Sequence, residues 1–203
     1  MTTAQTNPLQ LAEDAQNLLF HNARTANAFT DEEVPEETVR AVYELVKNGP
    51  TEFNTTPLRL VLVRSDEARA RLLPHMLDNN RDKTAAAPLI AILAADLEFH
   101  EELPRLFPYF PQAKDVFYGD PNDRAESARF NSALQIGYFV IGLRAAGLAA
   151  GPQSGFDHEG LDKEFFPDGT HTALVVMNIG KPGEDAWGPR LPRLEYDEVV
   201  TTV

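Results

Sequence analysis

Three apolar, β-rich runs set irregularly among helical patterns predict a mixed α/β or α+β domain. The runs are "LRLVLV", "LIAILAA" and "ALVVMNIG", with a fourth strand left open, and about five helices surround them. A length of 203 residues suits one domain spanning residues 1–203 and allows a substantial core.

Taken in order, "TNPLQLAEDAQNLLFHNA" reads as a first helix. Asn7 suits the cap and Pro8 the first helical position, and Leu11, Ala15, Leu18 and Leu19 form one stripe. Pro35 opens a second helix with Val39, Val42, Tyr43 and Val46 on one face, stopped by Asn48, Gly49 and Pro50. Leu58 to Val63 follows as a strand bounded by Pro57 and Ser65, and Ser65 caps a short helix. Leu89 to Ala95 is apolar throughout, as an inner strand requires.

The chain then changes character. An aromatic, Pro-rich excursion at about 97–122 carries five Phe or Tyr between Phe107 and Tyr118, with Pro104, Pro108, Pro111 and Pro121. Regular structure is not expected there; a lid and a loop tucked onto the core by its aromatics are equally open. The longest helix follows, "DRAESARFNSALQIGYFVIGLRAAGL". It is apolar nearly all round, so burial partly by a second copy of the chain is expected. Gly137 and Gly142 are placed for a close backbone approach. Gly151 reads as the glycine that ends this helix, opening a turn at "GPQSGFD".

Composition narrows the function classes. Acidic residues outnumber basic ones 31 to 18, a formal charge of -13, which argues against nucleic-acid or anionic-membrane partners. With no Cys, disulfides, thiol nucleophiles, thiolate zinc and iron–sulfur clusters are excluded. His21, His75, His100, His158 and His171 are scattered, so no metal site is expected. The start "MTTAQTNPLQ" lacks a signal-peptide pattern and "LIAILAA" is too short to span a bilayer; a soluble cytoplasmic protein is the expectation. No Gly-x-Gly-x-x-Gly follows a strand, and no phosphate-binding Gly-Lys-Ser/Thr loop is present.

Three polar stretches stand out together: "ARTANAF" with Arg24, Thr25 and Asn27; "GPTEFNTTPLR" with Asn54 and Thr56; and "PRLPRL" with Arg190 and Arg193. Paired arginines suit a phosphate through bidentate hydrogen bonds. With them the sequence resembles the FMN-dependent nitroreductase family over essentially its whole length. "RTAN" is similar to that family's Arg-Ser-x-Arg motif at Arg24 and Thr25. "PTEFNTTP" matches its Pro-Ser-x-x-Asn-x-Gln-Pro loop at Pro50, Thr51, Asn54 and Pro57. Pro152, Gly155, Phe156 and Asp157 match its Pro-x-x-Gly-Phe-Asp loop, and Arg193, with Arg190 as a weaker second, matches its basic C-terminal segment. "LPRLFP", "RFNSALQ" and "GPQSGFD" look like the branch containing the malonic semialdehyde reductase of pyrimidine catabolism.

The resemblance implies an α+β fold with a central, mostly antiparallel sheet flanked by helices, in an intertwined homodimer with FMN at the subunit interface. It implies Arg24 and Arg193 on the phosphate, helped by Arg190, with Thr25, Asn27, Asn54, Pro50, Thr51 and Thr56 around the ring and ribityl chain. Lys83 is either a cation at the flavin N1/O2 edge or an exposed helix lysine. Pro152, Gln153, Ser154 and Gly155 would lie against the ring, with the Ser154 backbone N–H as donor to N5. No amino acid need be catalytic, because the reactive atom is the cofactor's.

The implied activity takes hydride from NADH or NADPH through the flavin to a small acceptor. Malonic semialdehyde, giving 3-hydroxypropionate, leads; a nitroaromatic or quinone is the alternative, and a flavin-binding module without turnover ranks third. Asn27 and Thr56 depart from the family's Arg and Gln, and Glu52 places an acid in the loop nearest the flavin.

Overall fold

The structure, a computed structural model, describes residues 9–203. Its centre is one four-stranded sheet of order β1-β2-β4-β3: β1 Leu58–Val63, β2 Leu89–Asp96, β3 Ala149–Gln153 and β4 His171–Gly180. All three pairings are antiparallel. β2 is buried at every position, which is why its sequence is apolar throughout rather than alternating.

The pleat sends Leu89, Ala91 and Leu93 to one face and Ile90, Ile92 and Ala94 to the other. On the first face lie α2 (Glu36–Val46) and α7 (Pro121–Ala145), through Val39, Val42, Phe139 and Leu143. On the second lie α3 (Asp66–Leu72) and α8 (His158–Phe165), through Leu72, Leu161 and the flanking Phe166. The fold is therefore the predicted α+β arrangement. Ser65 caps α3 as expected, its hydroxyl accepting from the Ala68 N–H at 3.1 Å. α4 (Asp78–Ala85) follows, before β2.

Three expectations need correction. Asn7 and Pro8 lie outside the described residues; the described helix is α1, Glu13–Gln16, running directly into a π-helical turn, Asn17–His21. The excursion is not irregular. It holds a 3-10 turn (Phe99–Glu102), α5 (Leu103–Leu106) and α6 (Ala113–Tyr118). Pro104 occupies the first turn of α5, where a missing N–H costs nothing, so the prolines punctuate short helices instead of forbidding them. Phe99, Leu103, Ala113 and Tyr118 bury themselves against Ala95 and Ala128, which favours the tucked arrangement over a free lid.

The third correction concerns "GPQSGFD". α7 begins at an Asp120 cap that accepts from the Asn122 N–H and ends well before Gly151. Gly147, at φ +73°, is the left-handed residue; Leu148 N–H donates to Leu143 and Gly147 N–H to Arg144, the paired bonds of a Schellman stop. Gly151 lies inside β3, paired with Asn178. Its glycine is needed for a close approach, since a Cβ there would sit 2.7 Å from the Ala26 carbonyl oxygen. Gly142 likewise admits α2, at Val42 and Val46, rather than a second copy of the chain.

The final described helix, α9, is a single turn, Tyr196–Val199, on an exposed C-terminal segment. Among the described residues no helix is long and apolar enough to cross a membrane.

Candidate functional site

The segment after the π-helical turn is held between the β3 edge and the segment following β4. Ala26 N–H donates to Ala150 at 3.2 Å, Asn27 N–H to Ala186 at 2.9 Å and Thr30 N–H to Lys181 at 3.0 Å. This threading brings Arg24, Thr25 and Asn27 together with Arg190 and Arg193 around a cleft of about 330 Å³. Residues more than 160 positions apart in sequence thus share one wall, as when Arg24 donates to the Gly188 carbonyl.

The charge of this cleft is unusual for so acidic a chain. Arg190 donates to the His21 carbonyl, and Arg193 to the carbonyls of Leu191 and Pro192. None of the three arginines pairs with a carboxylate among the described residues. Arg144, near by, donates to the carbonyls of Leu18 and Leu19; burial and then the Arg190 charge lower its pKa. An uncompensated guanidinium cluster suits an anion with several acceptor oxygens.

β3 adjoins this cleft through Ala26, which is bonded to Ala150 and lies against Gly151. Pro152 and Ser154 are exposed and Gly151 and Gln153 buried, the alternation of a strand edge. Gln153 therefore turns inward, donating to the buried Thr84 hydroxyl at 3.0 Å. The Gly155 carbonyl accepts from the Leu77 N–H and, at 3.0 Å, from the Asn80 side chain. Lys83, on the same helix α4, is half-buried, and its ammonium has no hydrogen bond or ion pair among the described residues. Asn80 and Thr84 were not singled out in the sequence, where "NNRDKT" looks like any polar helix.

Pro50, Thr51, Asn54 and Thr56 are elsewhere. Asn54 and Thr56 line a second cleft of about 670 Å³ with Tyr43, Arg59, Arg105 and Gln135, beside β1. Pro50 is exposed at the start of this loop, and the Thr51 hydroxyl accepts from the Thr56 N–H at 3.2 Å. The loop is strained: Phe53 (φ +45°), Asn54 (φ +56°) and Thr56 (φ +41°) are all left-handed, each at a cost of about 1–3 kcal/mol. Glu52, in the same loop, accepts hydrogen bonds from the Tyr118 and Ser127 hydroxyls, both at 3.0 Å.

The sheet order decides how these groups relate. β1 and β3 are opposite edges, separated by β2 and β4, roughly 14 Å across the strands. One chain therefore carries two separate clefts: the arginine cleft on the β3 side of the sheet, and the Asn54–Thr56 cleft beside β1. Among the described residues no cluster of three His, Asp or Glu is placed to hold a metal ion.

Comparison with known proteins defines the class. The nitroreductase family model matches residues 22–181, and the chain belongs to that family. It is 63% identical over 195 residues to a Streptomyces griseus protein named NADH dehydrogenase/NAD(P)H nitroreductase, covering 96% of this chain and 99% of the relative. A Streptomyces coelicolor protein of the same description matches at the same identity and coverage. Among solved structures, a Bacillus subtilis nitroreductase superposes with a TM-score of 0.83 at 20% identity, covering 91% of this chain and 97% of that one. An Exiguobacterium sibiricum nitroreductase in complex with FMN superposes at 0.81 and 17% identity, covering 96% and 99%. These likenesses show the fold; the close relatives carry the class, an NAD(P)H oxidoreductase.

Proposed function

We propose that this chain is an FMN-dependent NAD(P)H oxidoreductase, working as a homodimer whose two sites each draw on both subunits. The observation that carries the reading is the carboxylate-free cluster of Arg24, Arg190 and Arg193, on the segment that Ala26 ties to β3. The residues fit the group. A phosphate near its second ionisation offers three acceptor oxygens to these guanidiniums, and Thr25 and Asn27 supply hydroxyl and amide partners for the ribityl chain.

FMN, when bound, supplies the hydride-carrying centre that links NAD(P)H to the acceptor. The protein's own part is to bind and orient. Arg24, Arg190 and Arg193 hold the phosphate. Ser154, an exposed residue, would offer its backbone N–H to N5, and Pro152 and Gly155 would shape the backbone against the ring. Lys83, half-buried and without an ion pair among the described residues, would place positive charge at the N1/O2 edge. Gln153 acts from beneath, fixing the β3 end through Thr84. Asn54 and Thr56, with Pro50 and Thr51 behind them, approach from the partner's opposite sheet edge, which is why a single chain holds them apart.

The names of the relatives support a nitro-group acceptor. Malonic semialdehyde rests on sequence likeness alone and is the second arm of the test. Steady-state turnover of both acceptors by one preparation, with NADH and with NADPH, separates them. A shared site visited in turn gives parallel double-reciprocal lines; converging lines contradict it.

A further inference from the structure

We infer that Glu52 is a positioning residue: its carboxylate latches the left-handed turn Phe53–Thr56 to α6 and α7, so the excursion is the turn's fixed buttress. The sequence suggests a ring-side acid here, and the geometry points elsewhere. Glu52 accepts from the hydroxyls of Tyr118, at the end of α6, and Ser127, in the second turn of α7. Its own N–H donates at 2.7 Å to Asn131 Oδ1, and Asn131, fully buried, donates to the Ser127 carbonyl at 2.9 Å. One short network therefore fixes both the backbone and the side chain of Glu52.

The residues that follow are tied to the same two elements and to α5. The Phe53 ring stacks on Phe117 (5.1 Å, 15°) and tilts against Phe107 (5.3 Å). The Asn54 amide donates to the Leu106 carbonyl at 2.9 Å. Beyond the turn, Leu58 N–H donates at 2.9 Å to Gln135 on α7. Three left-handed residues in four, including the β-branched Thr56, persist only where surroundings over-determine them. Here those surroundings are α5, α6 and α7. The same turn presents Asn54 and Thr56 to the second cleft, so the latch sets their position.

The consequence for the cofactor rests on the FMN reading; the latch itself does not. Glu52→Gln keeps an oxygen able to accept both hydroxyls, whereas Glu52→Ala keeps none. Amide hydrogen exchange at Asn54, Thr55 and Thr56 reads the latch without any flavin. Glu52→Ala and Tyr118→Phe are expected to speed exchange there about tenfold or more, and Glu52→Gln to restore it to within about threefold. In the FMN-loaded protein, Glu52→Ala weakens FMN binding about tenfold, while Glu52→Gln leaves binding and the flavin reduction potential unchanged. Unchanged exchange in Glu52→Ala, or no rescue by Glu52→Gln, overturns the latch. Restored exchange with a shifted potential in Glu52→Gln overturns its purely positional role. A wild-type chain that binds no FMN while the exchange pattern holds overturns the cofactor reading alone.

Discussion

Arg24, Arg190 and Arg193 show how function is written at the residue scale. Each rests on a backbone carbonyl rather than a carboxylate, in a chain with 31 acidic residues to choose from. A charge-assisted bond to phosphate is worth about 1.5–3 kcal/mol. Arg24→Ala or Arg193→Ala is therefore expected to weaken FMN binding by about ten- to a hundredfold, read by titration of flavin fluorescence. Binding within twofold of wild type in both would remove the phosphate role.

Tyr118 offers a pH signature at the same scale. Burial first, and then the Glu52 carboxylate it faces, push the phenol up to about 12. An unfolded tyrosine ionises near ~10. The raised value stabilises the fold fully below that point, and the contribution is lost as pH climbs toward about 12. The melting temperature should fall over that window more steeply in wild type than in Tyr118→Phe; equal slopes would contradict the buried hydrogen bond.

At the scale of elements, three of the four strands are legible in the sequence and the stop of the long helix is not. Leu58 to Val63 announces itself by β-rich composition, and Leu89 to Ala95 by the continuous apolar run of a strand buried on both faces. β3 does not, because "AAGPQ" has weak β propensity and is made a strand by pairing with β4. Its Gly-Pro suggested a turn, while the true stop, Gly147, sits inside an unremarkable "AAGLAA". The helices of the excursion are hidden for a related reason: prolines at helix starts look like prolines in loops. Of the site, the paired arginines were readable by type, but Glu52's partners were not, since Tyr118 and Ser127 lie 66 and 75 residues away.

The two glycines separate by experiment. Gly151→Ala drives a methyl toward the Ala26 carbonyl, so a loss of about 1–3 kcal/mol in urea unfolding is expected. Because Ala26 adjoins Arg24 and Thr25, FMN binding should weaken with it. Gly147→Ala meets no atom within 4 Å but keeps a left-handed φ, costing about 1–2 kcal/mol with binding unchanged. Equal effects on binding would contradict the role given to the β3 edge.

For the molecule as a whole, the proposed site requires a second copy, because the residues assigned to it lie on opposite sheet edges. α7 leaves Phe130, Leu134 and Tyr138 exposed at 63%, 42% and 41%, one stripe at four-residue spacing. Sedimentation equilibrium is expected to give twice the 22.5 kDa chain mass. Leu134→Glu should shift the mass toward one chain and lower FMN occupancy in parallel. A wild-type monomer that binds FMN stoichiometrically would contradict the shared site.

The most direct measurement is the visible absorption spectrum of the FMN-reconstituted, gel-filtered protein, before and after anaerobic NADH or NADPH. One flavin per chain that bleaches on NAD(P)H, and recovers its colour when an acceptor is added, is the predicted result. A protein that emerges colourless, or a bound flavin that stays oxidised with either nucleotide, would contradict the assignment.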